Sequence, residues 1–309
     1  MHRFTNILFC PLGDDDNPAL ARRVIDLAAR NNANVTFFGV VHEPSRLERA
    51  FHSGPYIDAI LEAERKEVSA KLAECAPTSG LVPTDSRITV GSAALSIIER
   101  VLVADHDLVV VTSDEDKEDH ATIKRLLRKC PCPVWVIRPT RARTQRVLAA
   151  VNPDPSELEL NRTILELASS MVALYGGELH VVHAWELYGE ATMRSSAFIH
   201  TAQEEIDALL ASEESSHRQA LDVLLTESGL ESQPWEKHLY KGPPADIVRE
   251  AVTKYGINLL VMGTVARTGV AGLIMGNTAE AVLDRVRCSV IATKPPGFVS
   301  PVDLGSRES

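Results

Sequence analysis

Short apolar runs alternate along the chain with longer segments whose apolar residues recur at helical spacing. In the second half, the apolar runs predict strands at residues 147–151, 179–185, 237–240, 259–262 and 290–294. The segments between them predict helices at residues 158–175, 198–227, 245–255 and 278–287. Each parallel connection must cross over the sheet, so this alternation predicts a mainly parallel sheet. The predicted fold class is α/β, with doubly wound five-stranded sheets covered by helices on both faces.

The two halves of the sequence are copies of one another. A single register superposes their strands, except that the loop after the fourth strand is five residues shorter in the first copy. The aligned pairs include Gly91 with Gly242, Asp107 with Asn258, Cys132 with Cys288, and Pro139 with Pro295. A repeat of about 145 residues predicts two tandem domains. We place them at residues 1–140 and 144–297, followed by a flexible tail at 298–309.

Composition narrows the class of protein. With 45% hydrophobic and 24% charged residues, the chain can bury a core in each half. No stretch approaches the roughly 20 apolar residues of a membrane span, and the N-terminus leads into a strand without a signal-peptide pattern. We therefore expect a cytoplasmic protein with no membrane partner. The net charge of −10 argues against nucleic acid, because phosphate contacts need clustered Lys and Arg.

The cysteines predict neither disulfides nor a metal site. There are five, an odd and scattered set, which does not form a disulfide framework. Cys130 and Cys132 flank one proline, but no second ligand pair stands at zinc spacing. We expect no metal site from this pattern.

A glycine-rich segment without carboxylates follows the fourth strand of the second half. It begins at Gly263 and ends at the predicted helix near Asn277. Glycine lets backbone N–H groups approach an anion closely, and the positive end of a helix dipole attracts negative charge. Ligands of doubly wound sheets bind at the carboxyl ends of the strands, where this loop lies. The segment therefore favours phosphate binding.

This segment resembles the adenine-nucleotide motif of the universal stress protein family, Gly-x2-Gly-x9-Gly-Ser/Thr after the fourth strand. The matching positions are Gly263, Ala266, Gly276, Asn277 and Thr278. Residues 126–135, 241–244 and 276–280 are similar to the tandem-domain members known as the universal stress protein E subfamily. Ala266 stands where the family has its second glycine, and Asn277 stands where it has Ser or Thr. The resemblance implies a stress-response binding protein that is not an enzyme.

The resemblance also implies one degenerate site for ATP or another adenine nucleotide, in the second domain only. Asn152 stands where nucleotide-binding members have an Asp near the sugar, and Asn loses the charge-assisted hydrogen bond to a ribose hydroxyl. No metal is implied beyond nucleotide-bound Mg²⁺. The implied site residues are Val151, Asn152, Ala184, Gly263, Thr264, Ala266, Arg267, Gly276, Asn277 and Thr278.

The corresponding loop of the first half is acidic. Between Ser113 and His120 stand five carboxylates and one lysine. Two like charges about 4 Å apart cost on the order of 1 kcal/mol even in water, so the loop would repel a triphosphate. Thr112 replaces the first glycine, and Pro11 or Leu12 replaces the family Asp. We expect no nucleotide in the first domain. A solvated loop, a cation site and a partner site stay open as functions of these carboxylates.

Simpler structural roles account for several of these residues. Asn277 and Glu280 have the spacing of a capping box, which needs no ligand. Gly263 and Gly276 suit tight turns and close packing. His183, at a strand end, fits a packing role better than a catalytic one.

Two other functions stay open. A small-molecule or apolar ligand could occupy a pocket between the domains, flanked by Met171, Met193, Phe198 and Ile199. The chain could instead be a weak ATPase or a nucleotidyl-transfer enzyme. That function would need an acid, a base or metal ligands in the loop, and the sequence has no Gly-x4-Gly-Lys-Ser/Thr motif and no paired carboxylates beside the glycines.

The last strands of the two halves, at residues 133–138 and 290–294, are rich in Val, Ile and Trp. In single-domain relatives such an edge strand pairs with its counterpart in a second subunit, and an unpaired edge is a liability. We predict that these strands lie side by side within one chain. The two domains would then form an intramolecular pseudo-dimer, and a homodimer of the whole chain stays open.

Overall fold

The computed structural model describes residues 3–13, 17–76, 80, 82–112, 117–140, 142, 144–196, 201–230, 234–264 and 276–304. The chain divides into two compact units. The first unit comprises Met1–Arg141, Thr264–Gly276 and Ser289–Ser309, and the second comprises Ala142–Gly263 and Asn277–Cys288. The domain boundaries and the flexible tail inferred from the repeat stay predictions.

Strands and helices alternate through the first unit. Its elements are β1 (Asn6–Cys10), α1 (Asn17–Asn31), β2 (Asn34–His42), α2 (Arg46–Phe51), α3 (Gly54–Cys75), β3 (Thr84–Gly91), α4 (Ala93–Ala104), β4 (Leu108–Thr112), α5 (Lys117–Lys129), β5 (Val134–Ile137) and, from the end of the chain, β10 (Ser289–Thr293). The strand order is β3-β2-β1-β4-β5-β10. All four pairings among β1 to β5 are parallel.

The second unit repeats the alternation. Its elements are β6 (Arg146–Ala150), a 3-10 turn at Pro155–Glu157, α6 (Leu158–Tyr175), β7 (Glu178–Trp185), α7 (Glu190–Ser195), α8 (Gln203–Glu227), β8 (Trp235–Lys241), α9 (Pro244–Lys254), β9 (Leu259–Gly263) and α10 (Asn277–Leu283). Within this unit the strand order is β9-β6-β7-β8, and all three pairings are parallel. The α/β fold with a mostly parallel sheet is confirmed.

The central strands are buried from end to end. All five residues of β4 are buried, as are four of the five residues of β9. A strand covered on both faces needs a continuous apolar run rather than an alternating one. Both strands accordingly stand out in the sequence as continuous apolar runs. In the part of the chain described by the structure, no helix combines the length and the apolar character that a bilayer span requires.

One polar pair shows that the two units use the same construction. Asp107 precedes β4, and its carboxylate accepts hydrogen bonds from the backbone N–H groups of Thr5 (2.6 Å) and Asn6 (3.0 Å). Asn258 precedes β9, and its Oδ1 accepts from the N–H of Arg146 at 3.1 Å. In each unit the side chain fixes the start of the fourth strand against the start of the first. The alignment of Asp107 with Asn258 therefore corresponds to a shared structural role.

The predicted pairing of the two last strands is confirmed. β10 runs antiparallel to β5, with Val290 opposite Val136 and Ala292 opposite Val134. The backbone N–H of Arg138 also donates to the Ser289 hydroxyl at 3.0 Å. β10 comes from the second sequence repeat but belongs to the first compact unit. The first unit is therefore incomplete without the end of the chain.

The helix predicted at 198–227 was wrong at its start. α8 begins at Gln203, and the short helix α7 precedes it. No residue of α7 is buried, so the segment has no apolar periodicity to predict a helix, and polar contacts of Glu190 hold it instead. Arg194 donates to Glu190 from within the helix at 2.9 Å, and Lys241 of β8 donates to the same carboxylate at 2.7 Å. Both cations lower the pKa of the Glu190 carboxyl, and Lys241 has the larger effect.

Candidate functional site

The carboxyl ends of three parallel strands meet at one edge of the second unit. Ala150 at the end of β6 is in register with Val182 of β7 on one side and with Met262 of β9 on the other. The chain leaves β6 toward β7 and returns through β9 on the opposite side, so the strand order reverses between β6 and β9. Crevices at such reversals are the usual ligand sites of doubly wound sheets. Three of the expected site residues, Asn152, Ala184 and Gly263, lie at or just beyond these strand ends.

The end of β6 is held by hydrogen bonds on both sides. The N–H of Val151 donates to the carbonyl of Val182 at 3.0 Å. The Asn161 side chain, from the first turns of α6, accepts from the Asn152 N–H at 3.0 Å and donates to the Asn152 carbonyl. Asn161 is only 1% exposed, so these bonds satisfy a buried amide. Both bonds reach the backbone of Asn152, and its half-buried side chain has no part in them.

A chain of hydrogen bonds runs from the same strand end to the surface. Nδ1 of the buried His183 lies 3.1 Å from the Val151 carbonyl, which can only accept, so Nδ1 carries the proton. Nε2 of His183 lies 2.9 Å from Nδ1 of His217, and Nε2 of His217 lies 3.3 Å from the Glu213 carboxylate. Both ring nitrogens of His183 are therefore engaged. This arrangement agrees with a packing role for His183.

Gly263 has a packing role that requires no ligand. A Cβ atom at this position would lie 2.8 Å from Cδ2 of Leu160, a distance that real Cβ atoms essentially never show. Leu160 is buried at the start of α6, which packs over β6 and β9. Glycine at the end of β9 thus allows α6 to approach the sheet closely.

The residues on either side of the glycine loop have defined positions. Thr264 is buried, and its N–H donates to the carbonyl of Thr293 at 3.0 Å. The N–H of Gly276 donates to the Thr264 carbonyl at 3.0 Å, which joins the two ends of the loop. Ala266 and Arg267 lie outside the described residues.

The helix after the loop differs from the predicted one. α10 begins at Asn277 and ends at Leu283, earlier than the predicted end at residue 287. Asn277 thus lies at the start of the helix, and the capping box of Asn277 and Glu280 stays a prediction. Asn277 and Thr278 are exposed, so both side chains remain accessible.

The equivalent edge of the first unit is closed by a side chain. Thr112 ends β4 at the position of Gly263, is fully buried, and accepts a hydrogen bond from the Leu12 N–H at 2.9 Å. Leu12 follows β1 as Asn152 follows β6. Of the expected acidic loop, residues 113–116 lie outside the described residues. Residues 117–120 form the start of α5, so the prediction of a loop there was wrong.

The apolar pocket loses one of its expected lining residues. Met171 is 1% exposed and belongs to the core face of α6. Phe198 and Ile199 lie outside the described residues. Met171 therefore cannot line an accessible pocket, because neighbouring core side chains enclose it.

The model of the universal stress protein family matches residues 3–138 and again residues 143–294. The chain belongs to the universal stress protein family. The two matches cover both copies of the sequence repeat, so the protein is a tandem member.

The chain is also similar to individual relatives and solved structures. Universal stress protein E of Escherichia coli strain K12 is 27% identical, over 95% of this chain and 95% of its own. A crystal structure of a functionally unknown protein from Pseudomonas aeruginosa shares the fold, with a TM-score of 0.65 and 23% identity over 95% of this chain and 94% of that one. A universal stress protein solved in complex with cAMP covers 48% of this chain and 95% of its own, at 20% identity and a TM-score of 0.31.

Asn161 and the chain from His183 to Glu213 were missed in the sequence. A signal for Asn161 was present: a polar residue stands beside Leu160 and three residues before Ile164, on the apolar face of a helix. Such a residue is buried only with a hydrogen-bond partner, and here the partner is the end of β6. His217 gave no comparable signal, because the surrounding helix is polar.

Proposed function

We propose that this universal stress protein is a regulatory binding protein that holds one adenine nucleotide, in its second repeat. The observation that carries the proposal is the register of β7, β6 and β9. It aligns the carboxyl ends of three strands where the strand order reverses, next to Asn152, Ala184 and Gly263. No charged side chain belongs to this set of three. An edge lined by backbone and neutral side chains suits the adenine and ribose of a nucleotide better than a charged metabolite.

The fixed backbone of Asn152 supports the assignment of the ribose side of the site. Asn161 holds the N–H and the carbonyl of Asn152, so the core and not a ligand fixes the backbone from which the Asn152 side chain projects. A preorganised group loses little conformational entropy when it binds. We infer that the Asn152 amide would accept or donate one hydrogen bond to a sugar hydroxyl. Ala266, Arg267, Asn277 and Thr278 would lie near the phosphates.

The first repeat supports the asymmetry of the proposal. There the hydroxyl of Thr112 accepts a hydrogen bond from the Leu12 N–H, across the ends of the fourth and first strands. A ligand inserted between these strand ends would break that bond and leave a part-buried N–H without its acceptor, which costs on the order of 1 kcal/mol. We therefore expect one nucleotide per chain, bound without turnover. His183, whose Nδ1 lies against the Val151 carbonyl just after β6, has both nitrogens engaged and does not favour catalysis.

Calorimetric titration of the full chain with ATP and Mg²⁺ tests the proposal. We expect one site per chain, and Asn152→Asp should tighten binding about tenfold, because a charged acceptor makes a stronger bond to a ribose hydroxyl. The matched control is Leu12→Asp at the equivalent position of the first repeat, which should leave the affinity unchanged. Two sites per chain, or no binding by either the wild type or Asn152→Asp, would overturn the assignment.

A further inference from the structure

Three side chains with metal-binding atoms converge on one face of the second unit, away from the carboxyl edge. His180 lies on β7, and Glu236 and His238 lie two residues apart on the neighbouring strand β8. Side chains two residues apart on a strand point to the same face. His180 is opposite Glu236 in the parallel register, so all three side chains share that face. The sequence alone does not bring this set together, because His180 and Glu236 are 56 positions apart.

The three donor atoms form a small triangle. Nδ1 of His180 lies 3.0 Å from Nε2 of His238 and 3.6 Å from Oε2 of Glu236. Nε2 of His238 lies 3.9 Å from the same oxygen. A tetrahedral Zn²⁺ with bonds of about 2.0–2.1 Å separates its ligand atoms by about 3.3 Å. The three separations therefore need to change by about 0.3–0.6 Å to surround such an ion.

The rings that present these atoms are held in place. His180 is 4% exposed and His238 is 9% exposed. The Tyr255 ring at the end of α9 stacks on His238, with centroids 4.2 Å apart, and also on His180 at 5.2 Å. The hydroxyl of Tyr255 is in turn hydrogen-bonded to that of Tyr240. The two imidazoles thus have little freedom to turn their nitrogens away from each other.

The second ring nitrogen of His180, Nε2, faces a carboxylate, as is common for imidazoles that bind a metal. Its Nε2 is buried and has no hydrogen-bond partner among the described residues, but it faces Oε2 of Glu178 at 3.8 Å. Arg146 holds that carboxylate at 2.9 Å. Metal-bound imidazoles commonly direct their second N–H toward a carboxylate, which fixes the tautomer that leaves the other nitrogen free to bind metal. A proton on Nε2 would leave Nδ1 of His180 unprotonated, with its lone pair directed into the triangle.

A direct hydrogen bond between the two histidines also accounts for the 3.0 Å contact. One proton would then lie between Nδ1 of His180 and Nε2 of His238. That arrangement gives no role to Glu236, whose carboxylate lies beyond hydrogen-bond distance of both nitrogens. A shared cation gives all three groups a role.

We propose that His180, Glu236 and His238 form a binding site for a divalent transition metal ion, Zn²⁺ in the first place. Two imidazoles and one carboxylate are ligands that Zn²⁺ accepts, whereas Ca²⁺ and Mg²⁺ prefer oxygen ligands alone. The Glu236 side chain is 66% exposed, so the fourth coordination position opens to solvent. The ion would link β8 to β7.

This site is separate from the proposed nucleotide site. His180 precedes Ala184 by four residues of β7, a distance of about 13 Å along the strand. Metal binding and nucleotide binding can therefore be tested independently. Nothing in the metal proposal depends on whether the carboxyl edge holds a nucleotide.

The decisive measurement is titration of the chelator-treated full chain with Zn²⁺ and, in parallel, with Co²⁺. We expect one tight site per chain, and Co²⁺ should give the visible d–d absorption of a nitrogen and oxygen site without thiolate-to-cobalt charge transfer. Zn²⁺ in excess should raise the melting temperature by about 5 °C or more. Thiolate charge transfer, or the absence of tight binding, would overturn the proposal.

Two variants assign the ligands. Glu236→Gln keeps the size of an exposed side chain and should weaken Zn²⁺ binding at least about tenfold. His238→Gln should abolish the tight site and the thermal shift. The matched controls are Asp58→Asn and His52→Gln, exposed residues of the first unit, which should keep both. Unchanged binding in Glu236→Gln and His238→Gln would overturn the assignment even if the protein binds zinc, and circular dichroism of each variant excludes unfolding as the cause of a loss.

Discussion

The first and fourth strands of the two repeats have similar contacts at their amino ends but different residues at their carboxyl ends. At the beginning, Asp107 and Asn258 tie the fourth strand to the first in both units. At the end, the first repeat places Thr112, whose hydroxyl bonds to Leu12, whereas the second places Gly263 beside Asn152. The scaffold was kept at the amino ends of the strands and changed at the carboxyl ends. Ligands of this architecture bind at the carboxyl ends, so one repeat can lose a site without losing the fold.

Separating the repeats is the strongest test of this comparison. A chain of residues 1–142 retains β5 but lacks β10, which would leave an edge containing Val134, Trp135 and Val136 without its antiparallel neighbour. An unpaired apolar edge promotes association. We expect this fragment to be poorly soluble alone and to associate with residues 143–309 on mixing. Size-exclusion chromatography of each fragment and of the mixture measures their association. Two soluble monomers that do not associate on mixing would contradict the prediction.

The next test compares Lys294 with Arg138, its counterpart at the end of the other repeat. Lys294 is 7% exposed and lies close to the thiols of Cys130 and Cys132. Burial lowers the pKa of Lys294 to about 8, and these two cysteines oppose that shift. The unfolded chain therefore holds one more proton than the folded chain between pH 8 and about 10.5, so this lysine makes stability rise with pH in that window.

Replacing the lysine should remove that dependence. At pH 7, we expect Lys294→Met to raise the free energy of unfolding by about 3 kcal/mol at most, an advantage that disappears as the pH approaches 10.5. Arg138→Met is the matched control, because a guanidinium stays protonated throughout and gives no such trend. Urea unfolding of both variants at pH 7, 9 and 10.5 measures the difference. A gain for Lys294→Met that does not change with pH would contradict the assignment.

The smallest effect concerns the shared contact before the fourth strands. Asp107 accepts hydrogen bonds from two backbone N–H groups and a hydroxyl, all with a charged acceptor, while Asn258 makes two neutral bonds. We expect Asp107→Ala to lower the free energy of unfolding by about 2 kcal/mol and Asn258→Ala by about 1 kcal/mol. Asp58→Ala, on the exposed face of α3, should have almost no effect. Equal losses at the two positions would show that the carboxylate charge adds nothing in the first repeat.

Much of the fold could be predicted from the sequence. The apolar runs of β4 and β9 are continuous because these strands are covered on both faces. The same pattern occurs in both copies of the repeat, so each copy supports the prediction for the other. The pairing of β5 with β10 was also predictable, since two apolar edges in one chain need cover. The short helix α7 was not predictable, because its Glu190 is held partly by Lys241 of a distant strand. The start of α5 was mistaken for loop, because its carboxylates masked the helical pattern.

The candidate site, like the fold, could be predicted from the sequence only in part. Residue types and the family motif indicated which residues would stand at the proposed nucleotide site, namely Asn152, Ala184 and the glycines. Only the tertiary structure decided that Asn161 fixes the backbone of Asn152, that Leu160 packs closely on Gly263, and that His180, Glu236 and His238 meet. Local sequence encodes strands, helices and loops because backbone preference and burial pattern act over a few residues. Contacts between residues 56 or 58 positions apart depend on strand order and register, which the chain as a whole determines.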